Sequence, residues 1–125
     1  MATIEKNREI LTLINVFTVE PDQQNVLVDL LVRATEETMQ HVPGFISASI
    51  HRGLDGAKVV NYAQWRSKED FEGLKDNAQA QVHIKAAAAL ARFDPILCEV
   101  VESTNVESTH TVETGSALDP IRWTG

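Results

Sequence analysis

The chain has a single cysteine, no long apolar run and a shortage of positive charge, and each shortage removes a class of protein. Cys98 alone cannot form an internal disulfide, and the ligand spacing of a zinc site is missing. In a strand-like stretch such a thiol reads as a small buried hydrophobe. Lys and Arg number 11 against 18 Asp and Glu, and the resulting net charge of −7 argues against a nucleic-acid binder. The longest uninterrupted apolar stretch, residues 86–91, is far shorter than the roughly 20 residues that span a bilayer. The first seven residues mix charge signs and the apolar run after them is patterned as a strand, unlike a signal peptide. A cytoplasmic protein with neither nucleic-acid nor membrane partner is therefore expected. The four histidines never recur at i, i+4 with an acid between them, so no metal is expected, and neither a Ser-His-Asp set nor a dinucleotide-binding Gly motif is present.

What is present is enough for one compact domain: 125 residues, 43% hydrophobic, need no metal or disulfide staple. Residues 11–20 (LTLINVFTVE) form a strand apolar on both faces, expected to be covered on both sides, with Asn15 as its one oddity. Pro21-Asp22 breaks it and offers Asp22 as a helix N-cap. Over residues 23–41, Leu27, Leu30, Leu31 and Ala34 make an i, i+3, i+4, i+7 stripe, ended by Pro43-Gly44. Residues 45–52 alternate as a second strand, 53–56 are turn chemistry around Asp55-Gly56, and 58–66 return as a third. Ser67 caps a helix from Lys68, with a bend near Asp76-Asn77 and a continuation to Phe93 in which Val82, Ala86, Ala89 and Phe93 share a face. Asp94-Pro95 stops that helix, and residues 96–101 are the fourth strand.

The order β-α-β-β-α-β over residues 9–103 predicts an α+β, ferredoxin-like domain: an antiparallel sheet with two helices on one face. The other face, carrying Ile10, Ile14, Val16, Val60 and Tyr62, still has to be covered, and a two-fold homodimer is the economical way. Residues 104–125 are a polar arm without a clear period. Within it residues 117–123 (ALDPIRW) are apolar enough to dock, a disordered end being equally open.

Residues 59–65 (VVNYAQW) carry the most information. Asn61 and Trp65 fall on one face of the strand, where an aliphatic residue is expected in place of an amide. An unpaired buried amide costs about 1–3 kcal/mol, and a polar ligand is one way to satisfy it. Asn15 and His51 have the same parity in their own strands. With residues 53–57 as the hairpin loop, Asn61 lies opposite Ser49 and His51 opposite Val59, and all four side chains point to the layer between sheet and helices. Each also has a plainer reading: the amides satisfied by one another or by carbonyls, Trp65 as packing, His51 on the sheet surface. His83, mid-helix, faces either solvent or the pocket. The alanine run 86–89 leaves room beside the sheet for a flat ligand.

Asn15 within residues 15–19 (NVFTV), Pro43-Gly44-Phe45 and residues 59–65 followed by Ser67 together resemble the antibiotic biosynthesis monooxygenase superfamily. These are small dimeric α+β barrels of ferredoxin-like subunits, and the likeness is greatest to the anthrone-type monooxygenases of aromatic polyketide pathways. The resemblance implies oxygenation by O2 without cofactor: an anthrone-like or other phenolic polycyclic aromatic loses a proton, its enolate passes an electron to O2, and a hydroperoxide gives the quinone. It implies catalytic roles for Asn15 and Asn61 as donors to oxygen, Trp65 as stacking or N–H partner and His51 as proton acceptor. Phe71, standing where some members have a tyrosine, and His83 become substrate contacts. Two other readings stay open. One is haem breakdown, with His83 near the helix histidine of such enzymes but Gly73 near the position of their tryptophan. The other is a non-catalytic barrel that binds or senses a small hydrophobic ligand.

Overall fold

The sheet is assembled around its first strand. The computed structural model describes residues 10–106, and within them β1 (Leu11–Val19) pairs antiparallel with both β3 (Lys58–Trp65) and β4 (Ala91–Cys98). β2 (Phe45–Arg52) adds to the other edge of β3, giving the order β2-β3-β1-β4. α1 (Gln24–Glu37), the short α2 (Lys68–Glu72) and α3 (Ala78–Leu90) complete the ferredoxin-like α+β domain. As a central strand, β1 satisfies its backbone along both edges; its inner residues Leu13 and Phe17 are buried, while Ile14 and Val16 on the outer face are half-buried. Phe17 and Val19 join Leu27 and Leu31 of α1, Val59 and Ala87 in one core cluster, while Leu13, Ala63 and Trp65 form a second.

The stripe of α1 behaves as its period demands, with Leu27, Leu31 and Ala34 buried and Leu30 half-buried. Its beginning differs from expectation. A 3₁₀ turn, Pro21–Gln23, precedes α1 and places Asp22 inside the first turn, where its charge suits the helix N-terminus without capping it. Buried Gln24 donates from Nε2 to the carbonyls of Gly53 (2.9 Å) and Lys58 (3.0 Å), tying α1 to the base of the β2–β3 hairpin.

That hairpin is one residue out of the expected register. The Gly53 N–H donates to the Lys58 carbonyl (2.8 Å), so the loop is shorter than residues 53–57. Asn61 consequently pairs with Ile50 and His51 with Val60. A slip of one sends every β2 side chain to the opposite face, and His51 is exposed on the side away from the helices. Near the other end the register shifts again between Phe45 and Ser47, and this bulge returns Phe45 to the face of its partner Trp65.

The last two elements also depart from the sequence reading. α2 starts at its Ser67 cap, whose Oγ accepts the Asp70 N–H (3.0 Å). The expected bend is a 3₁₀ turn, Gly73–Asp76, followed by Asn77, whose side chain caps α3 through the Ala80 N–H (2.9 Å). α3, however, ends at Leu90 and β4 begins at Ala91, not at residue 96. Pro95 lies inside β4, opposite Asn15, because an edge strand can present the missing N–H outward without losing a ladder bond. Phe93 is therefore a strand residue stacked on Phe17 (5.7 Å, 27°). On α3 the buried residues are Ala80 and Ala87, while Val82 is 66% exposed, so the predicted face is wrong. Apolar residues all round the helix gave the period nothing to select. Cys98 is half-buried at the end of an edge strand and not a core residue. Residues 101–106 have no regular structure, and the docking stretch 117–123 lies outside the described residues.

Two glycines with positive φ test how much crowding matters. Gly44 (φ 89°) opens β2, with its carbonyl accepting the Arg66 N–H (2.7 Å), and a Cβ there would run into the Asp70 side chain. Gly56 (φ 80°) in the hairpin loop has open space where its Cβ would go. Gly56→Ala is expected to cost about 1 kcal/mol, the backbone penalty alone. Gly44→Ala should cost distinctly more, about 2–3 kcal/mol, since strain adds to steric conflict; urea unfolding midpoints of the two variants measure the difference.

Candidate active site

Between the inner face of the sheet and the helices lies a cavity of about 460 Å³. Strand pleating supplies alternate residues to it: Leu13, Asn15 and Phe17 from β1, Asn61, Ala63 and Trp65 from β3, Phe93 and Pro95 from β4. The helical layer contributes Leu31, Ala34, Phe71, His83, Ile84 and Ala87, among others. The cavity exists because Ala34, Ala48, Ala63 and Ala87 line it at positions where larger aliphatic residues would close a core.

Asn15 and Asn61 are directly opposite one another in the β1–β3 ladder, so their side chains are neighbours on one face. Both carboxamide oxygens are buried and neither has a hydrogen-bond partner. Neither oxygen therefore accepts from the other amide's N–H groups or from a backbone N–H. Trp65, 2% exposed, meets Phe45 edge-on (5.4 Å, 88°) and Phe71 at 5.9 Å and 67°, making an aromatic end wall. Phe71 and His83 both line the cavity. His51 does not: the one-residue register difference puts it on the far, exposed face, and its expected inward orientation is overturned.

Sequence reasoning missed Thr38. This residue follows α1, is 6% exposed, and its Oγ1 lies 3.1 Å from His83 Nε2. Nothing in the sequence couples positions so far apart. Glu72 and Lys75, both exposed, add charge at the lip formed by α2 and the 3₁₀ turn, which Gln81 anchors through Nε2 to the Leu74 carbonyl (2.9 Å). Gly73, the position of interest for haem breakdown, is outside the cavity lining. Among the described residues no cluster of three or more His, Cys, Asp or Glu could hold a metal ion, and no helix is long and apolar enough to cross a membrane.

Residues 10–89 match the family described as antibiotic biosynthesis monooxygenase. The chain belongs to this family. It is 46% identical over 103 residues to tetracenomycin-F1 monooxygenase of Streptomyces glaucescens, across 82% of this chain and 92% of the relative. Its fold is similar to that of a monooxygenase from the gene ActVA-Orf6 of Streptomyces coelicolor, solved with nanaomycin D. That match has a TM-score of 0.75 and 26% identity, covering 85% of this chain and all of the other. SnoaB, a cofactor-independent oxygenase from Streptomyces nogalater, shares the fold at a TM-score of 0.66 and 23% identity, with 76% and 96% covered. The chain is thus an enzyme of the monooxygenase type, as its resemblance implied, and the non-catalytic reading yields to it.

An unsatisfied buried oxygen is a stability cost that a purely structural residue has no reason to keep. Asn61→Leu, similar in volume but without polar atoms, is expected to raise unfolding stability by about 1 kcal/mol. A denaturant titration checks this, and a loss of stability would show that the amide is satisfied within the fold.

Proposed function

We propose that this chain is a cofactor-independent monooxygenase that oxidises an anthrone-like phenolic polycyclic aromatic to a quinone with O2. The observation that carries the reading is the opposed pair Asn15 and Asn61, with orphaned oxygens, set in the wall of an otherwise apolar cavity that ends at Trp65. The 46% identical relative, named for oxygenation of tetracenomycin F1, supports the same substrate class.

A planar polycycle matches the cavity's apolar walls, and its phenolic edge matches the amides. A carboxamide carries both an acceptor oxygen and N–H donors, so it can accept from a phenol O–H and donate to an enolate or peroxide oxygen. Proton loss from the anthrone methylene leaves an enolate. One electron passes to O2, and recombination of the radical pair forms a C–O bond and a peroxide, which takes up a proton. Loss of the remaining C–H proton with cleavage of the O–O bond then gives the carbonyl and water. The balance is CH2 plus O2 to C=O plus H2O, with the substrate as the sole reductant. Preorganised donors on the developing oxyanion are worth about 3 kcal/mol each. Trp65 and Phe71 hold the flat rings in place.

The same reading includes a homodimer. The sheet face opposite the cavity carries Ile14, Val16, Val60 and Tyr62, all only half-buried, and exposed Ile96 beside Ile14, together with the buried, partnerless Oγ1 of Thr12. A second copy of this face would cover its half-buried and exposed apolar side chains.

Two measurements test these statements. Chelator-treated, colourless protein should consume one O2 per molecule of emodinanthrone or dithranol above the uncatalysed rate. Asn61→Ala should lower kcat by about 100-fold or more, and an unchanged rate would refute the role of the amide. In light scattering the protein should have twice the chain mass, and Val16→Lys, a charge at the centre of the outer face, should halve it.

A further inference from the structure

We infer that His83 is the group that takes the substrate's proton and that Thr38 is the residue that positions it. This assignment rests on the oxygenase reading, whose chemistry begins with loss of a proton from the bound substrate. The base expected from sequence, His51, lies on the far face of the sheet. Among the cavity-lining residues the titratable side chains are His83, Glu72 and Lys75. Glu72 and Lys75 are exposed at the lip, where solvent competes for their protons, and an ammonium group has no lone pair with which to accept one. His83 stands half-buried in the middle of α3 and is the one imidazole in the lining.

Its bond to Thr38 is the second observation. Thr35, one turn earlier on α1, turns its Oγ1 back to the Leu31 carbonyl (2.9 Å), as a threonine inside a helix ordinarily does. Thr38 leaves helical geometry (φ −128°, ψ −59°), and its Oγ1 reaches across to His83 Nε2 at 3.1 Å. A hydroxyl can donate or accept, so it keeps this bond in either charge state of the ring. With Nε2–H donating to Thr38 Oγ1, the lone pair is on Nδ1, and the ring is held in one tautomer and one orientation. The substrate C–H bond then breaks with its electron pair left on the enolate, and the proton moves to Nδ1. The imidazolium so formed returns that proton to the peroxide. Of the charged groups on α1 (Asp29, Arg33, Glu36, Glu37), the 3₁₀ turn (Lys75, Asp76) and β4 (Arg92, Asp94), which pack on α3, Lys75 alone lines the cavity, joined by Glu72 of α2. On α3 itself Lys85 is exposed.

The test separates proton transfer from oxygenation. Mixed anaerobically with dithranol in a stopped-flow instrument, wild-type protein should generate the visible absorbance of the bound anthrone anion. Aerobically its kcat/KM should fall on the acid side, where the imidazole is protonated and cannot accept. His83→Gln should abolish anion formation, remove the acid limb and lower kcat by about 100-fold or more, with KM changed only a few-fold. Thr38→Val should lower kcat by roughly 10-fold and displace the acid limb, and Thr38→Ser should restore both; a purely structural threonine would move neither the limb nor anion formation. Anion formation and an acid limb preserved in His83→Gln would overturn the assignment, while Asn61→Ala inactive alongside it would leave the oxygenase reading standing. Wild-type protein that ionises dithranol but takes up no O2 would overturn the oxygenase reading and leave the base in place. Should His83→Gln fail to fold, Thr38→Val decides the matter, since an unmoved acid limb would overturn the inference.

Discussion

The cross-strand opposition of Asn15 and Asn61 is the constraint around which the rest of the molecule is arranged. Each amide leaves a buried oxygen unsatisfied at the middle of the sheet, a cost of about 1–3 kcal/mol apiece. The surrounding strands have to hold this unfavourable pair in register. β1 does so by pairing along its length on both sides, and its flanking inner residues Leu13 and Phe17 are both buried in core clusters. A slip of one residue would bring the amides out of the cavity and push that core to the other face. Apolar burial on either side thus locks the polar pair in place.

The cavity follows from what is small as much as from what is polar. The alanines of α1, β2, β3 and α3 open space over the amides, while the Trp65–Phe45–Phe71 group closes one end with rigid aromatic surface. The bulge between Phe45 and Ser47 belongs to this arrangement, because without it Phe45 would face away from Trp65. Ser67 and Gly44 serve the same end: the capped, abruptly started α2 and the tight entry to β2 bring Phe71 and Phe45 into contact with the indole.

The sequence made some of this legible and hid the rest, for reasons that differ by element. α1 and β3 could be read because one face of each carries a regular pattern, and β1 because β-branched and aromatic residues fill both of its faces. The placement of Asn15, Asn61 and Trp65 followed from parity within those strands. β2 was recognised as a strand, but its register depended on a loop one residue shorter than its turn signals suggested, and that single residue moved His51 out of the site. α3 could be placed but not oriented, since alanine on every side leaves no stripe to read. Its end was misjudged because Pro95 looks like a helix stop, whereas an edge strand accepts it. The Thr38–His83 bond joins the end of one helix to the middle of another, and no local pattern encodes such a contact.

Loss of one histidine and recognition of another changes how the site divides its labour. Had His51 faced inward, the sheet would have carried an imidazole beside the two amides. Instead the sheet supplies neutral carboxamides on rigid, doubly paired strands, suited to hold charge that develops on oxygen. The imidazole comes from the opposite layer, on a helix restrained by a buried hydroxyl. A flat guest lying between the layers can therefore meet a stabilising group from one side and a proton acceptor from the other. Separation of the two spares the enolate from competing with the base for the same donors, since the imidazolium's Nε2–H is already engaged by Thr38. The two-layer fold provides this geometry because its sheet and its helices approach the cavity from opposite directions.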